Sequence, residues 1–304
     1  MTKFRIQKHG RLQELIAHER GYFTDEGLDY VFGEFVSAEV LGPIVERLRA
    51  VNPDGTPATP GTVEVTTGMF ETYAAGRACD ISSACHWAVN EAAASSFGRM
   101  WGSAYSVTPG AIMVPPESPI MKPADLAGVE VAVGYHSGSH FSALQALESF
   151  LAPDEVRLRF VGMPWDRVEA LVQRTVPAAN IWGVPLYLLD QQGFRRVADT
   201  TFMVGFLFDA SADPDDVDRY FRALRRAQAD LDVEPERFKH HHLDEIPDHL
   251  QPLADVRGFG IGERIVFLPY TREMYERSQR WMRERRLFEE EHATPAYETV
   301  VYAR

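Results

Sequence analysis

Residues 121–150, MKPADLAGVEVAVGYHSGSHFSALQALESF, decide how the chain is read. They divide into a short turn of helix (Pro123 to Leu126), a glycine turn, a buried strand (Val129 to Val133), a polar loop and a helix. The loop is Gly134-Tyr135-His136-Ser137-Gly138-Ser139-His140, and the stripe Phe141, Leu144, Leu147, Phe150 marks the helix after it. Ser137 or Ser139 is placed to cap that helix. Its free N–H groups and positive dipole end then face whatever lies above the strand. A strand that empties into a Gly/Ser-rich helix start is how an α/β sheet presents an oxyanion site, although many such turns hold no ligand.

Outward from this unit the pattern is α/β. Before it come a strand at Phe4 to Gln7, the loop His9-Gly10-Arg11, and a helix from Leu12 that stops at Gly21. A strand at Leu28 to Phe35, a helix at Val40 to Leu48 and a long loop from Val51 to Gly61 follow. Next come a strand at Val63 to Thr66, a helix at Phe70 to Ala75 and a strand at Cys79 to Ser82. Ser83-Ala84-Cys85-His86-Trp87 reads as the opening of the next helix. After the central unit, Val156 to Val161 and Ala178 to Ile181 read as strands, with helices at Trp165 to Val172 behind Pro164 and at Leu186 to Gln192 before Gly193. Met203 to Phe208 suits a buried strand, and Asp213-Pro214 starts a helix through Leu231.

The central unit resembles the second lobe of bacterial solute-binding proteins of the nitrate/sulfonate/taurine and thiamine-precursor type. Two further stretches carry the same resemblance. Ala17 to Leu28 contains Gly21-Tyr22-Phe23 and Glu26-Gly27-Leu28, similar to that family's x-x-x-G-Y-F-x-x-E-G-L turn. Tyr73 to Ile81 is similar to its L-x-x-G-x-x-D-I step. The resemblance implies a two-lobed type II periplasmic-binding-protein-like fold with a ligand cleft between the lobes. Lobe one would span 1–100 and lobe two 101–202. Residues 203–304 would return, with the C-terminal helices packing on lobe one.

Composition bounds the function. The 304 residues carry 31 Lys+Arg against 44 Asp+Glu, a formal net charge of -13, which argues against a nucleic-acid partner. The late basic residues, Arg272 to Arg286, alternate with Glu on a solvated helix face. Two cysteines, Cys79 and Cys85, are too few for a disulfide framework and read as reduced thiols. No apolar run is long enough to span a membrane. The start, Met1 to Gln7, carries no export signal, so a cytoplasmic location is expected.

In an open α/β sheet the ligand lies beyond the carboxyl ends of the strands. Four loops meet that condition: His9 to Arg11, Ser82 to His86, Tyr135 to His140, and Trp182-Gly183. They supply the candidate catalytic groups His9, Cys85, His86, His136 and His140. The candidate binding residues are Gly10, Arg11, Ser82, Ser83, Tyr135, Ser137, Gly138, Ser139, Trp182 and Gly183. Histidine suits acid–base work because its ordinary pKa lies near neutral. Cys85 at a helix start is where a dipole lowers a thiol pKa, though a small buried cysteine filling space is the more ordinary reading. Tyr135 and Trp182 are stacking walls, whereas Trp87, Trp101 and Trp165 read as core. No carboxylate stands with the cleft histidines at ligand spacing, so no metal or cofactor is expected. His240-His241-His242 with His249 reads as solvated loop.

Relatives of the resembled family include aromatic sulfinate desulfinases, dihydroxyphthalate-type decarboxylases and thiamine-precursor synthases. The desulfinase-like pattern places a cysteine in the first βα loop, where this chain has His9-Gly10-Arg11, and the synthase's cysteine-rich iron motif is missing. The expectation is a cytoplasmic enzyme, a lyase or hydrolase, that cleaves a C–C, C–S or C–N bond of a small, aromatic or heteroaromatic anion by histidine acid/base chemistry. Helix starts after Ser82 and Ser137 would hold the developing charge. The rival reading is a non-catalytic binding protein of an ABC-type importer, with its permease as partner.

Overall fold

In a computed structural model, which describes residues 3–33, 79–287 and 295–302, two sheets share the chain. The first lobe opens with β1 (Phe4–Ile6), α1 (Leu12–Glu19), α2 (Tyr22–Asp25) and β2 (Tyr30–Phe32). It continues through β3 (Ile81–Cys85), α3 (His86–Ala94), β4 (Arg99–Trp101) and β5 (Tyr105–Thr108). The second lobe holds β6 (Gly110–Val114), β7 (Glu130–Val133), α4 (Gly138–Leu147), β8 (Arg157–Phe160), α5 (Pro164–Val172), β9 (Ala178–Trp182), α6 (Val184–Gln191) and β10 (Arg195–Asp199). The chain then returns through β11 (Phe202–Phe208), α7 (Pro214–Val233), β12 (Arg264–Val266), α8 (Arg272–Glu284), α9 (Tyr297–Val300) and β13 (Val301–Tyr302).

The first sheet runs β12-β5-β11-β3-β1-β2, with β4 against β11 and β13 on β4; the second runs β10-β6-β9-β7-β8. The chain passes between sheets twice, at Pro109 between β5 and β6 and at Thr200–Thr201 between β10 and β11. Both passages are short. Gly110 permits one of them, since a Cβ there would lie 2.9 Å from Thr200 Oγ1. In each lobe parallel strands point their carboxyl ends the same way: β2, β1 and β3 in one, β8, β7 and β9 in the other.

Burial explains the elements. α7 is capped by Asp213, whose side chain accepts the Asp215 N–H at 2.9 Å. Its stripe Val217, Tyr220, Phe221, Leu224 and Leu231 is buried against Leu12, Ile16 and Phe23 of the first lobe. In lobe two, β7 and β9 are buried on both faces, as parallel strands between helices must be. Among the described residues no helix is long and apolar enough to cross a membrane.

Several expectations need correction. Ser83, Ala84 and Cys85 extend β3 rather than opening a helix, because β11 pairs with it antiparallel from Phe208–Ile81 to Val204–Cys85. α4 ends at Leu147, and Phe150 is 37% exposed instead of continuing the stripe. Between α7 and β12 the helical pieces are 3-10 turns, where Pro235, Pro247 and Pro252 each remove a backbone donor. This stretch does not pack solely on lobe one: Ile246, Leu250 and Phe259 join the lobe-two core with Leu186 and Leu189. α8 also reaches across, with Arg285 Nε 2.7 Å from Glu148 Oε1. The expected elements at 40–48, 51–61, 63–66 and 70–75, and the motif at 73–78, lie outside the described residues.

Candidate functional site

The carboxyl ends of the two sets of strands face one another, and the gap is filled by the chain's own side chains. Gly138, the first residue of α4, marks the closest approach: a Cβ there would lie 2.7 Å from the Phe202 ring and 3.1 Å from Cys85 Cβ. Beside it Trp87 meets Phe141 (ring centroids 5.7 Å) and Phe202 (6.2 Å), and His9 stacks on Trp182 at 6.2 Å with planes 5° apart. Residues of both lobes thus share one apolar cluster, and the lobes are closed. Each large side chain buried in such a seam contributes about 1.5–3 kcal/mol.

Three of the four cleft histidines lie inside this seam and are held neutral. His86 sits at the start of α3, its Nδ1 3.1 Å from the Met203 carbonyl oxygen; a carbonyl only accepts, so Nδ1 carries the proton. Burial lowers its pKa to about 4. His136 has a left-handed backbone (φ 48°), which lets its N–H donate to His140 Nδ1 at 3.1 Å. Burial, with His140 second, lowers His136 to about 3, and burial lowers His140 to about 4. His140 is therefore fixed as the Nε2–H tautomer. Cys85 is no thiolate either. Burial pushes its pKa up to about 12, and the N–H groups of Ala88 and Trp87 offset only part of that. Cys79 and Cys85 are both free thiols, as read from their number.

The loop at the head of α4 is a self-bonded turn. Ser137 occupies the cap position but makes no cap bond, contrary to expectation; its hydroxyl donates to Gly134 O and meets Ser139 Oγ at 2.8 Å. Ser139 is spent as well, accepting the Gly134 N–H at 2.8 Å. Tyr135 lies over His136 and His140, with centroids 4.2 and 5.2 Å apart. Beneath the loop lies Arg167, which pattern reading missed. Its Nη1 donates to Gly162 O at 2.9 Å and its Nε to Asn180 O at 3.1 Å. A Cβ on Gly134 would sit 3.0 Å from that Nη1. Among the described residues Arg167 has no ion-pair partner, and burial lowers its pKa to about 10 with Asp166 opposing. Arg167 is thus a buried cation whose hydrogen bonds go to carbonyls. Asn180 ties the turn down, donating to Ser139 O at 2.6 Å and Ser142 Oγ at 2.8 Å.

The opposite wall, at the end of β1, is a charge network. His9, half-buried, has Nδ1 2.9 Å from Glu263 Oε2. Arg11, which sequence placed as a binding residue, is 1% exposed and turned to carboxylates: its Nε lies 3.3 Å from Glu263 Oε1 and 3.7 Å from Glu14 Oε1, with the guanidinium over Phe206. Burial works against the carboxylate of Glu263, yet Arg11, His9 and a Ser106 hydrogen bond hold it at about 2. Glu245 has the opposite fate. Burial first, then Glu263, Asp244 and Glu14 as like charges, raise it to about 7, with Lys8 alone opposing. Gly10 (φ 50°) serves as its space, because a Cβ there would lie 3.0 Å from Glu245 Oε2. Two carboxyls of one cluster are thus pushed apart in pKa, a pattern that acid–base pairs share with structural ion-pair networks. Glu14, Glu245 and Glu263 escaped sequence reading because they sit in a helix interior, a 3-10 turn and a strand approach, with no motif spacing.

Ser82 and Ser83 lie in the middle of β3, 3% and 5% exposed, not in a cleft loop, and the first helix start is displaced to His86. Trp182 lines the seam; Gly183 follows with φ 67° and makes the turn into α6. Trp87 and Trp101 are core, whereas Trp165 is only partly buried. An open hollow lies elsewhere, beside Pro115, Ile120, Gly128–Glu130 and Val176–Pro177 at the amino ends of β7 and β9. It touches none of these groups, and the strand-end rule favours the closed seam over it.

Comparison with solved structures fixes the fold. The alkanesulfonate-binding protein SsuA from Xanthomonas axonopodis pv. citri bound to MOPS superposes with TM-score 0.67 at 14% identity, covering 100% of this chain and 99% of that one. The periplasmic aliphatic sulphonate binding protein SsuA from Escherichia coli gives 0.66 at 16%, covering 99% and 92%. The desulfurization enzyme DSZB gives 0.60 at 16%, covering 97% and 95%. No protein-family model and no curated protein matches the chain. The chain has the two-lobed periplasmic-binding-protein-like fold that the 121–150 stretch resembles, and that fold hosts both binding proteins and an enzyme.

Proposed function

We propose that the chain takes a small organic anion, of the sulfonate, sulfinate or carboxylate class, between its lobes. The observation that carries this is Arg167, a buried guanidinium without a carboxylate partner beneath the Gly134–Ser139 loop, at the positive end of α4. An anion above that loop would supply the missing negative charge, and Tyr135, Trp182 and Phe202 would flank its organic part. Two neighbours of the same fold hold such molecules: one MOPS, the other, a mutant of DSZB, biphenyl-2-sulfinic acid. Because the seam is filled by side chains, the lobes must part to admit the ligand.

A catalytic reading is favoured by the β1 end of the seam alone. His9 is the one cleft histidine left half-buried, oriented by Glu263, with the protonatable Glu245 beside it. On that reading the chain is a cytoplasmic lyase or hydrolase cleaving a C–C, C–S or C–N bond, and His9 replaces His86, His136 and His140 as the acid/base group. As a pure binder it would serve an importer from outside the cytoplasm.

The test is a thermal-shift and calorimetric screen of organic sulfonates, sulfinates and aromatic carboxylates, followed by product analysis. Ligand at 100 times its Kd should add about 2.7 kcal/mol of stability. Ser137→Ala and Tyr135→Ala should weaken binding. His9→Asn should leave affinity intact and, if a product forms, cut its rate about a hundredfold or more. Failure of every such anion to bind would defeat the proposal; binding without any product would leave the binder alone.

A further inference from the structure

His240 and His241 are successive residues of a 3-10 turn, Lys239–Glu245, and so would ordinarily diverge. Their rings instead lie 4.0 Å apart between centroids, on the side facing Glu19, the last residue of α1. One donor atom from each of Glu19, His240 and His241 lies within 4.8 Å of the other two. His240 Nδ1 is 3.0 Å from the Arg237 carbonyl oxygen, so that nitrogen carries the proton and Nε2 keeps its lone pair. A backbone carbonyl behind the outer nitrogen is how metal-bound imidazoles are usually oriented. His241 Nε2 is 2.9 Å from Glu19 Oε2, and its Nδ1 faces Asp244 Oδ2 at 3.9 Å, a carboxylate behind the second ring. The nearby cations are otherwise engaged: Lys239 Nζ with Glu236 at 2.6 Å, and Arg237 Nη1 near Glu234 at 3.6 Å.

We propose that Glu19, His240 and His241 form a surface site for one borderline divalent cation, zinc foremost. The donor set decides the class. Two imidazole nitrogens and one carboxylate suit zinc and its first-row neighbours, whereas magnesium and calcium require oxygen cages. The spacing fits as well. Ligands at about 2.0–2.1 Å from a tetrahedral ion stand roughly 3.3 Å apart. The His241–Glu19 pair needs to open by only a few tenths of an ångström. Three protein donors on an accessible surface leave the fourth position to water. In the ion-free form the His241 proton sits on Nε2 to bond to Glu19; loading moves it to Nδ1, which faces Asp244. The bound ion would clamp the end of α1 to the turn that carries Glu245, and α1 begins directly after the His9–Arg11 loop.

The experiment uses the tag-free full chain, stripped with chelator, and zinc chloride alone. Calorimetry should give one ion per chain. Glu19→Gln and His241→Ala should each weaken binding at least about tenfold, and Asp244→Asn by roughly 10–100-fold or less. His249→Ala, whose ring pairs with Glu169 instead, should leave binding unchanged. Cobalt in place of zinc should show the intense visible absorption of a four-coordinate ion. These side chains are at the surface, and circular dichroism verifies that each variant folds. Absence of stoichiometric zinc binding would overturn the proposal, as would equal binding by a Glu19→Gln/His241→Ala double variant.

Discussion

Replacing Glu245 by glutamine should make this protein more stable at pH 8 and leave it unchanged at pH 4. The carboxyl has an ordinary pKa of 4.5 and a folded value of about 7, a difference of 7 − 4.5 = 2.5 units. A raised acid binds its proton more tightly when folded. Below pH 4.5 both states are protonated and nothing is lost. As pH rises from 4.5 to 7 the unfolded chain releases the proton and the folded chain does not, so stability falls by about 1.36 kcal/mol per unit. The full interval gives roughly 3 kcal/mol, which partial solvent access trims to about 1–2 kcal/mol. Glutamine has the shape of the protonated acid and never ionises, so the variant escapes this loss. Among the described residues the Glu245 carboxyl makes no hydrogen bond that the amide would forfeit. Glu263 titrates near 2 and lies outside the window. The buried histidines titrate in both proteins and cancel in the difference. The assay is urea unfolding of both proteins from pH 4 to 8. A difference that stays flat with pH, or a variant less stable at pH 8, would refute the reasoning.

Three further outcomes follow from the closed seam. Gly138→Ala removes up to about 1 kcal/mol of helix penalty but inserts a methyl 2.7 Å from Phe202, an overpacking cost of about 1–3 kcal/mol. The lobes should be wedged apart, with a larger radius of gyration by X-ray scattering; an unchanged radius would show the contact to be soft. Cys85, 6% exposed with its pKa pushed up to about 12, should resist a disulfide reagent at pH 8 in the folded chain and react once urea unfolds it. Rapid native modification at Cys85, located by mass spectrometry, would restore it as a nucleophile. At pH 5 the scattering radius should exceed that at pH 7.5, since lobe opening rehydrates the seam histidines and lets them charge. Superimposable curves would mean that they stay buried in both states.

The turn, strand and helix of 121–150 were legible because each signal is local. Pro123 sets a helix start, the valine run a two-sided strand, and Gly134 to Ser139 a loop between them. The end of β3 was not legible. Whether Ser83 to Cys85 extend as strand depends on β11, more than a hundred residues away, and no local signal announces a partner. Site residues divide the same way. Candidates chosen by loop position were brought together: His9 meets Trp182, and Cys85 meets Gly138. What those groups do was hidden, because a side chain's charge depends on its burial and on carboxylates delivered by tertiary structure. Arg11 illustrates this: read as a ligand contact, it is the buried counter-ion of Glu263 and Glu14.

Four histidines from three loops converge on one seam, yet convergence by itself supplies no acid or base. Closing the lobes removes water from His86, His136 and His140, and the same desolvation that makes the seam a binding wall takes their charge away. Each becomes a neutral donor or acceptor, fixed in one tautomer where a partner is present. Such groups orient a ligand well, but with pKa values of about 3 to 4 they move protons poorly at neutral pH. His9 differs in its surroundings: it is half-buried, with Nδ1 2.9 Å from Glu263. Glu263 stays ionised through Arg11 and holds the ring, while Glu245, denied such a partner, keeps its proton to about pH 7. One wall of the seam thus carries neutral, desolvated histidines over a buried guanidinium, and the other a carboxylate cluster with one protonated member. The proposed catalytic reading therefore rests on the second wall, and the proposed binding reading on the first.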